Sequence, residues 1–140
     1  MKEEFGGAML LHLMAFFMVI YIAFLTAMYM YIQVYKAKNS TIEYIENYSG
    51  EHLTMCEIAQ HLEYSGYDKM GKYKITKFEN ENLGKNYYSV SLLLQLSILP
   101  NISPLTLSIP ITGETKLISD DIIIDSTSGD EYTILGSVTC

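Results

Sequence analysis

The chain is predicted to be α+β: a long N-terminal helix, half transmembrane and half amphipathic, carrying a small antiparallel β-sheet. Three observations predict this. Residues 5–35 contain no Asp, Glu, Lys or Arg. A helical period of apolar residues then runs from Ile42 to Leu62. Beyond Gly66 the apolar period changes to two, the signature of half-buried strands.

The first element is the apolar run itself. A bilayer's hydrocarbon core is roughly 30 Å thick and is crossed by about 20 apolar residues in a helix. The run from Phe5 to Tyr35 exceeds that length, with His12 and Gln33 as its strongly polar side chains. A cleavable signal has a basic start, a short apolar stretch and a small-residue cleavage site. Here Met1-Lys2-Glu3-Glu4 is acidic on balance and no A-x-A motif follows, so a retained anchor is expected. Tyr29, Tyr31 and Tyr35 suit an interfacial aromatic belt, and Lys36 and Lys38 mark the exit into water. Lysines flank both ends, so charge alone does not orient the span. Ala8, His12, Ala15, Val19, Ala23 and Thr26 recur at helical spacing and form one stripe. Small residues on a stripe let helices approach closely in lipid, so this is the expected helix-packing face. His12 either finds a partner in a bundle or reaches the interface; an unpaired polar group in hydrocarbon is costly.

The second element is the amphipathic continuation. Asn39-Ser40-Thr41 is read as an N-cap or a brief break. Ile42, Ile45, Tyr48, Met55, Ala59 and Leu62 approximate one face, interrupted at Ser49-Gly50 by an expected kink. Ser65-Gly66 is a stop, with Gly66 suited to a left-handed cap. One rod from about residue 7 to 65 results. The division is thus 1–7 as a leader or cytoplasmic flank, 8–35 as the transmembrane helix, 36–66 as the amphipathic helix and 67–140 as the β-rich domain.

The sheet follows. Tyr73 and Ile75 alternate within 72–78, and 79–86 reads as a turn. Tyr88, Val90, Leu92, Leu94, Leu96 and Ile98 give a strand with one apolar face. Leu105, Leu107, Ile109 and Ile111 give another, which Pro110 confines to an edge or a bulge, followed by a turn at Thr112-Gly113-Glu114. Residues 122–124 and 132–138 are weaker strands split by a polar stretch. The segment 42–65 is the expected cover for the apolar face.

Composition narrows the function classes. The chain has 140 residues, all nine basic residues are lysines, and the formal net charge is −7. This argues against nucleic acid and against docking on an anionic lipid surface. Twelve tyrosines and no tryptophan suggest amphipathic contact surfaces. Cys56 and Cys140 are either a disulfide outside the cell or two thiols. His52 with Cys56, and Glu57 with His61, share helical faces but make only half-sites for a metal. Asp120, Asp121, Asp125, Asp130 and Glu131 lack calcium-loop spacing. No catalytic constellation, metal site or cofactor is expected, and the chain is read as a non-enzyme.

An apolar N-terminal helix that continues as a rod into a small sheet resembles the type IV pilin-like proteins. The particular resemblance is to TadE/TadF-like pseudopilins of tight-adherence systems. It rests on Gly6-Gly7 before the apolar run, on the segment from Cys56 to Gly66 that ends the rod, and on Ile109-Pro110-Ile111-Thr112-Gly113-Glu114-Thr115. It implies candidate processing at Gly6 or Gly7, export of the C-terminal domain, and assembly on a pilus platform in the membrane driven by a cytoplasmic ATPase. If cleavage follows Gly7, the fifth mature residue is His12, where the family pattern has Glu. The expected function is a structural subunit, assembling through its N-terminal helix with like or related chains into a pilus, pseudopilus or secretion-type filament. It would be a single-pass membrane protein with an extracellular C-terminal domain, or part of an extracellular filament. The alternative is a non-polymerising single-pass membrane protein with an extracellular binding domain.

Overall fold

A computed structural model describes residues 2–48, 54–67, 71–97, 106–118 and 132–135. Helix α1 spans Lys2–Asn47 and α2 spans Met55–Tyr64. Four strands follow: β1 (Lys72–Asn80), β2 (Lys85–Ser97), β3 (Thr106–Glu114) and β4 (Thr133–Ile134). They form one antiparallel sheet in the order β3-β2-β1-β4.

α1 is unbroken, which corrects the expected cap or break at Asn39-Ser40-Thr41. The Thr41 hydroxyl donates to the Ala37 carbonyl (2.8 Å) and so stays inside the helix. Residues 8 to 47 hold no Gly or Pro, and the Leu, Met and Ala that dominate the anchor favour helix. The expected rod to residue 65 is also corrected. In a continuous helix Ser40 and His61 would stand about 31 Å apart. Instead the Ser40 hydroxyl lies 3.0 Å from His61 Nε2, so the chain folds back on itself. Both ends of α2 are locally encoded. Thr54 and Glu57 form a capping box: Thr54 N–H donates to Glu57 Oε2 (2.8 Å) and Glu57 N–H to Thr54 Oγ1 (3.4 Å). At the other end Gly66 adopts φ +83°, Tyr67 N–H donates to Leu62 O, and Gly66 N–H to Glu63 O. That is a Schellman stop, the role expected for Gly66.

The sheet follows the period-two pattern. Tyr73 and Ile75 on β1 oppose Leu92 and Val90 on β2, and all four are buried. Leu92 and Leu94 in turn oppose Ile111 and Ile109 on β3. Val34, Ala37, Thr41 and Ile45 of α1, with Ile58 and Leu62 of α2, join this face to make the core. The Tyr73 hydroxyl is buried without a hydrogen-bond partner, and burial pushes its pKa above 10.0. The opposite face is more polar: Ser91 and Thr112 hydroxyls meet at 3.0 Å, and Phe78 stacks on Tyr87.

Pro110 sits on β3, an outer strand, as a residue without an N–H requires. The expected turn at Thr112-Gly113-Glu114 is instead the end of β3, with Gly113 opposite Val90. The glycine answers to packing: a Cβ there would lie 2.6 Å from Ile42 Cδ1 and 3.1 Å from Lys38 Cδ, so α1 crosses close above it. Of the two weaker strands, Thr133–Ile134 pairs with β1, while residues 122–124 and 136–138 lie outside the described residues.

Candidate membrane and assembly surface

α1 has two halves with no break between them. From Val34 onward one face is buried against the sheet; from Phe5 to Thr26 every residue is exposed. The stretch from Phe5 to Gln33 corresponds to about 43 Å of helix with no packing partner over most of its length. Its best window has a mean hydropathy of 2.4 and none of that window is buried. Length and composition are those of a membrane span or a signal sequence.

The six residues of the expected packing stripe, Ala8, His12, Ala15, Val19, Ala23 and Thr26, are all exposed on this half. Its polar members donate within the helix. His12 Nδ1, carrying the ring proton, donates to the Ala8 carbonyl at 2.8 Å. The Thr26 hydroxyl donates to the Ile22 carbonyl at 2.9 Å. Each donor of the stripe therefore has a partner within its own helix, while Nε2 of His12 keeps an acceptor site for a neighbouring helix or the interface. At 3.6 residues per turn, the stripe and the sheet-facing residues Val34, Ala37, Thr41 and Ile45 centre within roughly 50° of each other. The small-residue side of the anchor thus lies beneath the sheet. Gly6 and Gly7 are helical, with no atom crowding their α-carbons.

The junction between anchor and domain is stiffened by side chains. Lys38, expected to mark the exit into water, is buried: its stem passes Gly113 and its ammonium sits 4.3 Å from the centre of the Tyr35 ring. Glu46 clasps the segment after β3, accepting from Lys116 N–H (2.8 Å) and pairing with Lys116 Nζ (3.5 Å). Tyr67 Oη lies 2.9 Å from the carbonyls of both Lys72 and Leu93 and shares its proton between them. Met30, Gln33 and Val34 of α1 border a cavity of about 200 Å³ together with Tyr67, Leu94 and Gln95.

His61 couples the two helices, a role that spacing along α2 alone did not signal. Its ring stacks on Tyr44 (4.3 Å between centroids) and meets the hydroxyls of Ser40 and Ser65. Glu57, its expected half-site partner, is occupied in the capping box. Burial lowers the His61 pKa from 6.5, opposed by a hydrogen bond to the Ser40 backbone. The folded chain therefore resists a proton that the unfolded chain accepts, so this stabilisation is full above pH 6.5 and is lost as pH falls through the lower native value. Melting temperature is expected to drop between about pH 7.5 and about pH 5.5, and less so in His61→Phe. An unchanged pH slope in that variant would exclude His61 as the source.

Cys56 is disulfide-bonded. The other cysteine of the expected pair, Cys140, lies outside the described residues, as do His52 and the acidic positions 120–131. Among the described residues no three His, Cys, Asp or Glu side chains group as metal ligands. Comparison with protein-family models, curated proteins and solved structures returns no match.

Proposed function

We propose that the chain is a structural, pilin-like subunit, held in a bilayer by the N-terminal half of α1 and assembling with its neighbours through that helix. The observation that carries this reading is a single helix whose first half is apolar and unpartnered and whose second half is built into the domain core. Lipid, or the helices of other subunits, is the medium that such a surface requires. Retention of the anchor, rather than removal as a signal, is supported by continuity: α1 has no loop between Phe5 and the core residue Ile45. A domain outside the cell is supported by the disulfide at Cys56, since such bonds persist in oxidising compartments. The small-residue side of the anchor suits close approach of a neighbouring helix under the sheet. The resemblance to TadE/TadF-like pseudopilins points the same way and adds processing near Gly6-Gly7 as part of the proposal.

Ala15→Leu combined with Ala23→Leu tests assembly. Both residues are exposed in the single chain, so the fold tolerates the larger side chains. Self-association in a membrane reporter is expected to fall several-fold, and antibody-labelled filaments at the cell surface are expected to disappear. Undiminished self-association would favour the second reading, a single-pass membrane protein that displays a binding domain without polymerising. Its polar outer sheet face, with the Phe78–Tyr87 stack, is the surface such a module would use.

A further inference from the structure

We infer that the sheet makes its own contact with the bilayer, through the corner formed by Leu96, Leu107 and Ile109, so that the subunit is seated on the lipid surface as well as threaded through it. The inference rests on α1 spanning the membrane as proposed above.

The argument is one of level. Gly113, opposite Val90 on β2, lies against Lys38 and Ile42 of α1. Further along β2, Leu94 lies beside Met30 and Val34 around the cavity. The four residues from Val90 to Leu94 cover about 13 Å of strand, and eight residues of helix cover about 12 Å. β2 therefore descends α1 toward its N-terminus at nearly the pace of the helix. Leu96 lies about 7 Å lower again, or between four and five residues of helix, level with roughly residues 26 to 30. Leu107 is paired with Leu96, and Ile109 with Leu94. Tyr29 lies at this level and Tyr31 just above it, both aromatic residues suited to the membrane–water boundary.

The corner has the chemistry of that boundary. Leu107 and Ile109 point to the core side of the sheet, yet are 48% and 39% exposed, because α1 does not cover them. Elsewhere on that face Ile111, Leu92, Val90 and Tyr88 are buried. Their exposure is thus confined to the end nearest the apolar half of α1 and is continuous with it. The sequence carries no charged side chain from Tyr87 to Gly113, so this part of β2 and β3 brings no charge to the low-dielectric boundary. With no cation at the corner, an uncharged lipid surface is its match, not an anionic one.

The chain has no tryptophan, so one introduced indole reports one site. Full-length L107W, I109W, I20W and F78W would each be reconstituted in phosphatidylcholine vesicles at high lipid-to-protein ratio, with lipids brominated at shallow or deep acyl positions. Ile20 reports the anchor, and Phe78 the far end of the outer face. I20W emission is expected to be quenched most by deep bromines. L107W and I109W are expected to be quenched by shallow bromines at least half as strongly, and F78W to stay at background. Quenching at I20W with L107W and I109W at background overturns the inference and leaves the anchor intact. Blue-shifted but unquenched L107W emission means that protein covers the corner, and also overturns it. Absence of quenching at I20W removes the anchor and the inference together.

Discussion

Ile45→Ala is expected to destabilise the sheet domain strongly while leaving the chain in the membrane. Ile45 has no exposed surface, and it is the largest fully buried side chain of α1. Its buried neighbours on that face, Val34, Ala37 and Thr41, are smaller and cannot fill the space once it is truncated. Ile→Ala in a core costs about 2–5 kcal/mol, because the transfer free energy is lost and a cavity is left. A domain of this size has only about 5–15 kcal/mol in total. The expected result is a fall in melting temperature of at least about 8 °C, at roughly 4–8 °C per kcal/mol. The anchor half of α1 shares none of these contacts, so resistance to alkaline extraction from membranes should not change. A melting temperature within about 3 °C of the parent chain would show that the helix is not pinned at this point.

Cys56→Ser is expected to have a comparable effect by a different route. A disulfide acts mainly on the unfolded chain, which it holds to fewer conformations, and the effect grows with the loop that it closes. Removing one typically costs about 2–4 kcal/mol. Cys56 lies on α2, a helix of only 10 residues held by three buried side chains, Ile58, Ala59 and Leu62. α2 and its junction with Ser40 and Tyr44 should be the first structure to loosen, seen as faster amide exchange from Ile58 to Leu62. A thiol reductant should lower the stability of the parent chain by the same amount and leave Cys56→Ser untouched. Equal stability of the parent and Cys56→Ser under oxidising conditions would contradict this account.

Much of the architecture is legible in the residues because its signals are local. The charge-free run, the alternation of Tyr88 to Leu96 and the stop at Gly66 each depend on neighbours within a few positions. Pro110 confined its strand to an edge or a bulge by the one N–H that it lacks, and the strand is at the edge. The failures share a cause as well. Gly113 reads as a turn because glycine usually marks one, but its reason lies in Ile42 and Lys38, about 70 residues away in sequence. Thr41 reads as a cap because its hydroxyl competes for backbone groups, and here that hydroxyl turns inward to Ala37. The reversal between α1 and α2 keeps the apolar period of both helices, so periodicity alone did not distinguish one rod from two segments folded together. The candidate surface divides in the same way. The stripe from Ala8 to Thr26 was visible as spacing, whereas its position beneath the sheet, and the level of Leu107, emerge only once β2 is laid along α1.

The continuity of α1 has a mechanical consequence. An anchored domain on a flexible tether can tumble and meet partners in many attitudes. Here a shaft about 69 Å long runs without a joint from the N-terminus into the core. Any tilt, twist or pull applied to the buried end is delivered to the displayed end at full amplitude, and a load hung on the sheet is felt at once by whatever grips the shaft.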